Sequence, residues 1–274
     1  MAGSKKIKVL ILLGALILFV LLFIAPKKAP SALSEGSREA GAKPAMPLTS
    51  GDLSVYLKLA LKNVEPKQKG VIEKLIDIKN FDSLSVIWSQ LKRPDLSAYF
   101  VEESSKILNS SDSWNKAGNR YFTAVQFCED ESEIPILYQC AMRCFNKSLE
   151  LNPKSVDSKI MIASCYVDGT NTPMEGISRL KELEKTESNN IKLQLTFAFF
   201  SVKSGQLDKA INRFNKVIAI DSTYIEAYLH LADAYERSKN PAQAIRMLEA
   251  YAARTNDITA KLEIKKYIEQ LKNK

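Results

Sequence analysis

Over 274 residues the chain is 46% hydrophobic and 26% charged, with ten glycines, ten prolines, four cysteines and one histidine, a balance that excludes a largely disordered chain and a multi-histidine metal site. Of the net charge of +8, the segment 1–28 carries +5 through Lys5, Lys6, Lys8, Lys27 and Lys28; the rest sets 34 basic against 31 acidic side chains. So even a balance does not call for a nucleic-acid partner.

Residues 1–8 form a short basic tail. Val9 to Ala25, "VLILLGALILFVLLFIA", is an unbroken run without a polar side chain. As a helix it would be about 26 Å long, at the short end for a hydrocarbon core of about 30 Å, with Lys8 and Lys27 placed to snorkel. A cleaved signal has a shorter apolar region and a small-x-small site; here "PKKAP" follows directly. A transmembrane helix over 9–25 is therefore the expectation. The near balance of flanking lysines leaves orientation open, and the very short N-tail favours a cytoplasmic N-terminus with an extracytoplasmic folded part, periplasmic in a bacterium. Residues 26–50, rich in Pro, Ala, Ser and Gly, read as a flexible linker spanning roughly 28 Å.

No alternating Val/Ile/Thr run with hairpin signals follows, so the remainder reads all-α. Over 51–110, "LSVYLKLALKNV" and "VIEKLIDI" are helical. The stretch "FDSLSVIWSQLKRPDLSAYFVEESSKI" forms two more helices about "KRPD", with Trp88, Leu91, Ala98 and Tyr99 apolar. From 111 onward one spacing recurs. Ala210-Ile211 and Ala244-Ile245 are the same pair at a spacing of 34. The segment 225–258 carries Tyr228, Leu231, Ala232, Tyr235, Ala244 and Leu248; 191–224 carries Phe197, Ala198, Gly205, Ala210, Phe214 and Val217; 156–190 carries Ile162, Ala163, Tyr166, Gly176 and Leu180 with one extra residue at "DGTNTP". In 111–155, "SWNKAGNRY" supplies Trp114, Ala117, Gly118 and Tyr121, and the following helix Ala141, Phe145, Leu149 and Pro153. Between Tyr121 and Ala141 stand 11 residues beyond the period, expected as two lengthened helices turning at "EDESE".

A 34-residue period with these residues at these places resembles the tetratricopeptide repeat, two antiparallel helices per unit. The resemblance implies an α-solenoid whose small residues let paired helices approach, with residues 259–274 as a capping helix and 51–110 as a degenerate repeat or a plain helical cap. In such arrays the first helices line a concave face that binds peptides or proteins. Carried over, the groove residues are Asn115, Asn119 and Phe122; Ile160 and Ser164; Leu195, Phe199 and Val202; and Leu229 and Asp233. Only Asn115 and Asn119 suit a carboxylate clamp, so an extended or helical client with apolar anchors is expected. On this reading Phe199→Asp with Leu195→Asp removes client capture and leaves helix content unchanged.

No catalytic motif appears: no P-loop, no G-x-G-x-x-G, no glycine-framed serine nucleophile. The acid pair Glu129 and Asp130 falls in a turn. His230 reads as a surface or groove residue. Cys128, Cys140, Cys144 and Cys165 contain no C-x-x-C; Cys140 and Cys144, at i and i+4, are poorly placed for a disulfide, and buried thiols are the favoured reading, with a bridge involving Cys165 left open. The expectation is a non-enzymatic, cofactor-free and metal-free scaffold, held in the membrane through Val9 to Ala25, that binds a protein or peptide client. The alternative is a structural subunit whose repeats mediate only oligomer packing; homo-oligomerisation is open. The Lys-rich end, "KLEIKKYIEQLKNK", is the one local basic patch and reads as a solvated face.

Overall fold

The computed structural model describes residues 53–128 and 130–273. The basic tail, the apolar run Val9 to Ala25 and the linker 26–50 lie outside the described residues, as do Glu129 and Lys274. Among the described residues there are thirteen α-helices, two short 3-10 turns and no strand. None of these helices is long and apolar enough to cross a membrane. They fall into two compact units, 53–186 and 187–273.

The N-terminal unit holds α1 (Leu53–Leu61), α2 (Pro66–Asp77), α3 (Phe81–Gln90), α4 (Pro94–Leu108), α5 (Ser111–Ala124), α6 (Ile134–Leu151), α7 (Val156–Gly169) and α8 (Pro173–Glu184). The C-terminal unit holds α9 (Ile191–Lys203), α10 (Leu207–Ile220), α11 (Glu226–Arg237), α12 (Pro241–Arg254) and α13 (Ile258–Lys272). Local chemistry sets the starts. Asn80, Ser110, Ser155 and Asn190 each accept a first-turn backbone N–H at the heads of α3, α5, α7 and α9. Their partner helices α4 and α8 begin instead on Pro94 and Pro173, and α6 has Pro135 as its second residue, in the first turn where no backbone hydrogen bond is lost. Two of the C-terminal hairpin turns place a left-handed residue at the same position. Gly205 takes it between α9 and α10 at φ +73°, and at the equivalent place in the next hairpin Lys239 takes it between α11 and α12 at φ +60°. Glycine adopts that conformation freely, whereas a lysine does so at a steric cost.

Within each unit helices pack in sequence order, α3 to α4 through α7 to α8, and α9 to α10 through α12 to α13. The N-terminal core runs through Leu84, Trp88, Leu96, Phe100, Tyr121, Leu137 and Phe145. Close approach explains two small residues. A Cβ on Gly118 would lie 2.5 Å from the Phe145 ring, and one on Gly176 would lie 2.3 Å from the Ala163 carbonyl oxygen. Ala210 and Ala244 are fully buried at the place of Gly176 in the later hairpins.

The expectation of two lengthened helices in 111–155 is corrected. The first, α5, has 14 residues, the same as α7; the extra length lies in the 3-10 turns Val125–Phe127 and Glu131–Glu133 and in α6, which has 18 residues. After Ala124 the chain tightens into a 3-10 turn with Val125 buried, and the Asp130 carboxylate then accepts the Ser132 N–H at 3.0 Å to shape the second turn. On α1, burial and then the Asp95 carboxylate push the Tyr56 phenol pKa up, with Glu133 adding the smallest push. Tyr56 also donates to Asp95 Oδ2 at 2.5 Å, under the Arg93 guanidinium, which itself donates to Asp95 at 3.0 and 2.6 Å.

Deeper in the same unit Glu102, 4% exposed, accepts the Tyr121 hydroxyl at 2.7 Å and the Arg143 Nη2 at 2.8 Å, joining α4, α5 and α6. A hydroxyl chain joins α5, α6 and α7: Ser148 Oγ donates to the Ser111 carbonyl at 2.8 Å and lies 2.8 Å from Ser158 Oγ.

Candidate functional site

In the N-terminal unit the first helices α5 and α7 carry the five expected groove residues. Asn115 Nδ2 donates to Ser158 Oγ at 2.9 Å, and Asn119 Nδ2 donates to Asn115 Oδ1 at 2.7 Å. Both side chains are half-buried; Asn115 stitches α5 to α7, and Asn119 braces Asn115 from within α5. Phe122 is half-buried, edge-on to Tyr138 with centroids 5.6 Å apart. Two assignments are corrected. Ile160 is fully buried, and Ser164 is buried with its hydroxyl donating to the Ile160 carbonyl at 3.0 Å. The reason is packing: α7 meets α5, α6 and α8, so the side that carries these two residues is covered. Neither can touch a client without unfolding the helix.

In the C-terminal unit α9 carries two apolar faces parted by polar strips that hold Gln194 and Ser201 on one side and Lys192, Thr196 and Lys203 on the other. Leu193, Phe197, Ala198 and Val202 are buried, while Leu195, Phe199 and Phe200 are half-buried. Val202, expected in the groove, is thus a core residue and is corrected; it packs with Ala210, Phe214 and Leu231. Phe199 stands edge-on to His230 at 4.9 Å and to Phe214 at 5.6 Å, and His230 stacks on Phe214 at 5.6 Å with 22° between planes. The three rings lock α9, α10 and α11 together. Phe199→Asp would therefore put a carboxylate into this cluster, and the expectation that it leaves the helices intact is withdrawn. Leu229 is half-buried against the cap, beside Ile264 and the Ile268 cluster. Asp233 is half-buried, 3.8 Å from Arg237; burial holds its carboxyl above the usual range and Arg237 partly offsets this.

Sequence reasoning missed two contacts here. Glu236 accepts the Tyr267 hydroxyl of α13 at 2.5 Å, a link that a 34-residue register does not reveal because α13 lies beyond the last hairpin. His230 is a packing residue, and its place one step after Leu229 gave no signal of the ring pair it meets. Burial pushes its pKa below the ordinary value of 6.5, with Glu226 acting weakly in the other direction. The folded state thus disfavours the imidazolium. Stability should be complete above about pH 6.5 and fall as pH drops from there through the lowered folded-state pKa. Urea titrations of the chain and of His230→Gln across this range should show the slope in the first and its loss in the second.

Chemistry is sparse. Among the described residues no cluster of three His, Cys, Asp or Glu side chains could hold a metal. Cys140, Cys144 and Cys165 are buried free thiols, and Cys128, half-buried, is pushed up to about 11 by burial and then by Glu133. These shifts run away from the thiolate that nucleophilic or redox chemistry requires. What the surface does offer is a set of half-exposed side chains on first helices: Asn119 and Phe122 in one unit, Leu195, Leu229 and Asp233 in the other.

Residues 201–262 match the tetratricopeptide repeat family model. No curated protein matches the sequence. Among solved structures, a thermophilic TPR protein of Thermus thermophilus is similar at 16% identity, covering 68% of this chain and 96% of that one with a TM-score of 0.50, which shows the same fold. PilW, a widely conserved type IV pilus biogenesis factor, is similar at 14% identity over 70% of this chain and 93% of its own, TM-score 0.47. YrrB, a TPR protein with an unusual peptide-binding site, is similar at 19% identity over 71% and 97%, TM-score 0.40.

Proposed function

We propose that the chain is a non-catalytic scaffold, tethered to a membrane through Val9 to Ala25, whose first helices hold a protein or peptide client. The observation that carries this reading is α9. Apolar side chains on a helix want cover, and of those on the two apolar faces of α9, Leu195, Phe199 and Phe200 remain only partly covered. Leu229 and Asp233 on α11 add one apolar and one acidic group of the same partial exposure. A client with a short apolar anchor suits this set. The expected affinity is modest: partial burial of a few such side chains contributes roughly 1 kcal/mol each, against an association cost on the order of 4–15 kcal/mol. A tether that concentrates client and scaffold on one surface offsets part of that cost.

Because Phe199 is a packing residue, the test must not disturb it. A photo-crosslinking amino acid at Leu195 or Asp233, in chains within intact membranes, should capture a client. The same probe at Lys209 or Glu249, exposed on the second helices α10 and α12, should not. Equal capture from both sets would overturn the assignment to first helices. Capture only of other copies of the chain would favour a structural subunit that packs on itself.

A further inference from the structure

The last helix, α13, has two unlike sides. Ile268 and Leu271 are buried with Ala232 and Leu248, and Ile264 packs beside them. At about 100° per residue, Ile258, Leu262, Lys265 and Lys266 fall on the other side. There Ile258 is 76% exposed and Leu262 is 54% exposed. Four lysines against two glutamates make the helix basic. Lys266 and Lys272 bond Glu263 and Glu269 along the helix, while Lys261 and Lys265 take part in no ion pair among the described residues. Charge is also uneven along the chain: residues 53–186 hold 18 basic and 18 acidic side chains, and residues 187–274 hold 14 and 10.

We propose that this outer face of α13 rests on an anionic lipid surface, Ile258 and Leu262 dipping into the headgroup region while the lysines meet lipid phosphates. An apolar stripe flanked by long cationic side chains is the pattern of an interfacial helix. Two side chains offer far less than the roughly 1,000 Å² that a stable protein interface buries, which argues against a second copy as the occupant. A weak surface contact suffices when the chain is already held at the bilayer, because tethering supplies the effective concentration. The inference therefore rests on the anchor reading of Val9 to Ala25.

The test uses the full chain with Leu262→Trp, reconstituted in vesicles of phosphatidylcholine alone or mixed with phosphatidylserine, each carrying a brominated phosphatidylcholine as quencher. The native tryptophans, Trp88 and Trp114, are buried, so the unsubstituted chain gives the background. The introduced indole should shift to the blue and lose intensity on vesicles containing phosphatidylserine. Adding Lys265→Glu and Lys266→Glu should abolish both changes. A chain that floats with the vesicles but shows no quenching above background, or quenching that ignores phosphatidylserine and the lysines, overturns the lipid face alone. A chain that does not float with the vesicles overturns the anchor, and the lipid face with it.

Discussion

Arg143→Met should destabilise the N-terminal unit by about 3–5 kcal/mol, the cost of leaving a buried charge without its partner. Glu102 is only 4% exposed and cannot reach water in place of the lost guanidinium; the Tyr121 hydroxyl would then be left to solvate its charge. The reverse substitution is milder. In Glu102→Gln the Arg143 side chain, 44% exposed, can turn to solvent. Tyr121 keeps a neutral acceptor, so the loss should be about 1–3 kcal/mol. The order of the two variants is the test, since a surface ion pair would cost little from either side. Both tryptophans of the chain, Trp88 and Trp114, lie in this unit, so urea titration followed by tryptophan fluorescence reads it directly. Equal midpoints for the two variants would show that Glu102 is better hydrated than its burial implies.

Phe214→Ala should cost the C-terminal unit about 3–5 kcal/mol, the range for deleting a buried aromatic ring where neighbours cannot collapse into the space. The ring is 1% exposed and supports both Phe199 and His230. Those two come from different helices, and neither can fill the gap without leaving the other. Far-ultraviolet circular dichroism should lose part of its signal at lower urea while the tryptophan transition keeps its midpoint. Phe214→Leu, which retains most of the volume, should cost less than half as much. A tryptophan midpoint that moves with Phe214→Ala would show that the effect is not confined to the unit that holds the ring.

The hairpin pattern was legible because it rests on local signals. A 34-residue period, small residues at Gly118, Ala210 and Ala244, and Pro or Asn/Ser at helix starts each have a nearby physical cause, and the helices follow them. The candidate site was legible only in part, because a position in a repeat specifies a direction and not an exposure. Ile160 and Ser164 point as the register says, yet α7 is covered on that side by its neighbours. Val202 is drawn into the cluster of Phe214 and Leu231. The corner after α5 escaped a periodic reading because its added length is taken up in two 3-10 turns and a longer α6, which carry no helical period of their own. Lys239 shows the same limit at the backbone, since the fold imposes a left-handed turn where the residue type gives no hint of one.

The clasp at Tyr56 has a mechanical consequence. Any pull on the chain from its N-terminal side reaches the repeats through α1. That helix is seated by Tyr56, Ala60 and Leu61 and fastened by one hydroxyl–carboxylate bond to Asp95. Asp95 is gripped in turn by Arg93 at the very start of α4. Load would therefore concentrate on a single short joint, and α1 would peel away before any hairpin behind it felt the force. Such a joint yields first and lets the helix reseat when tension falls, which makes α1 a mechanical fuse for the stacked hairpins of its unit.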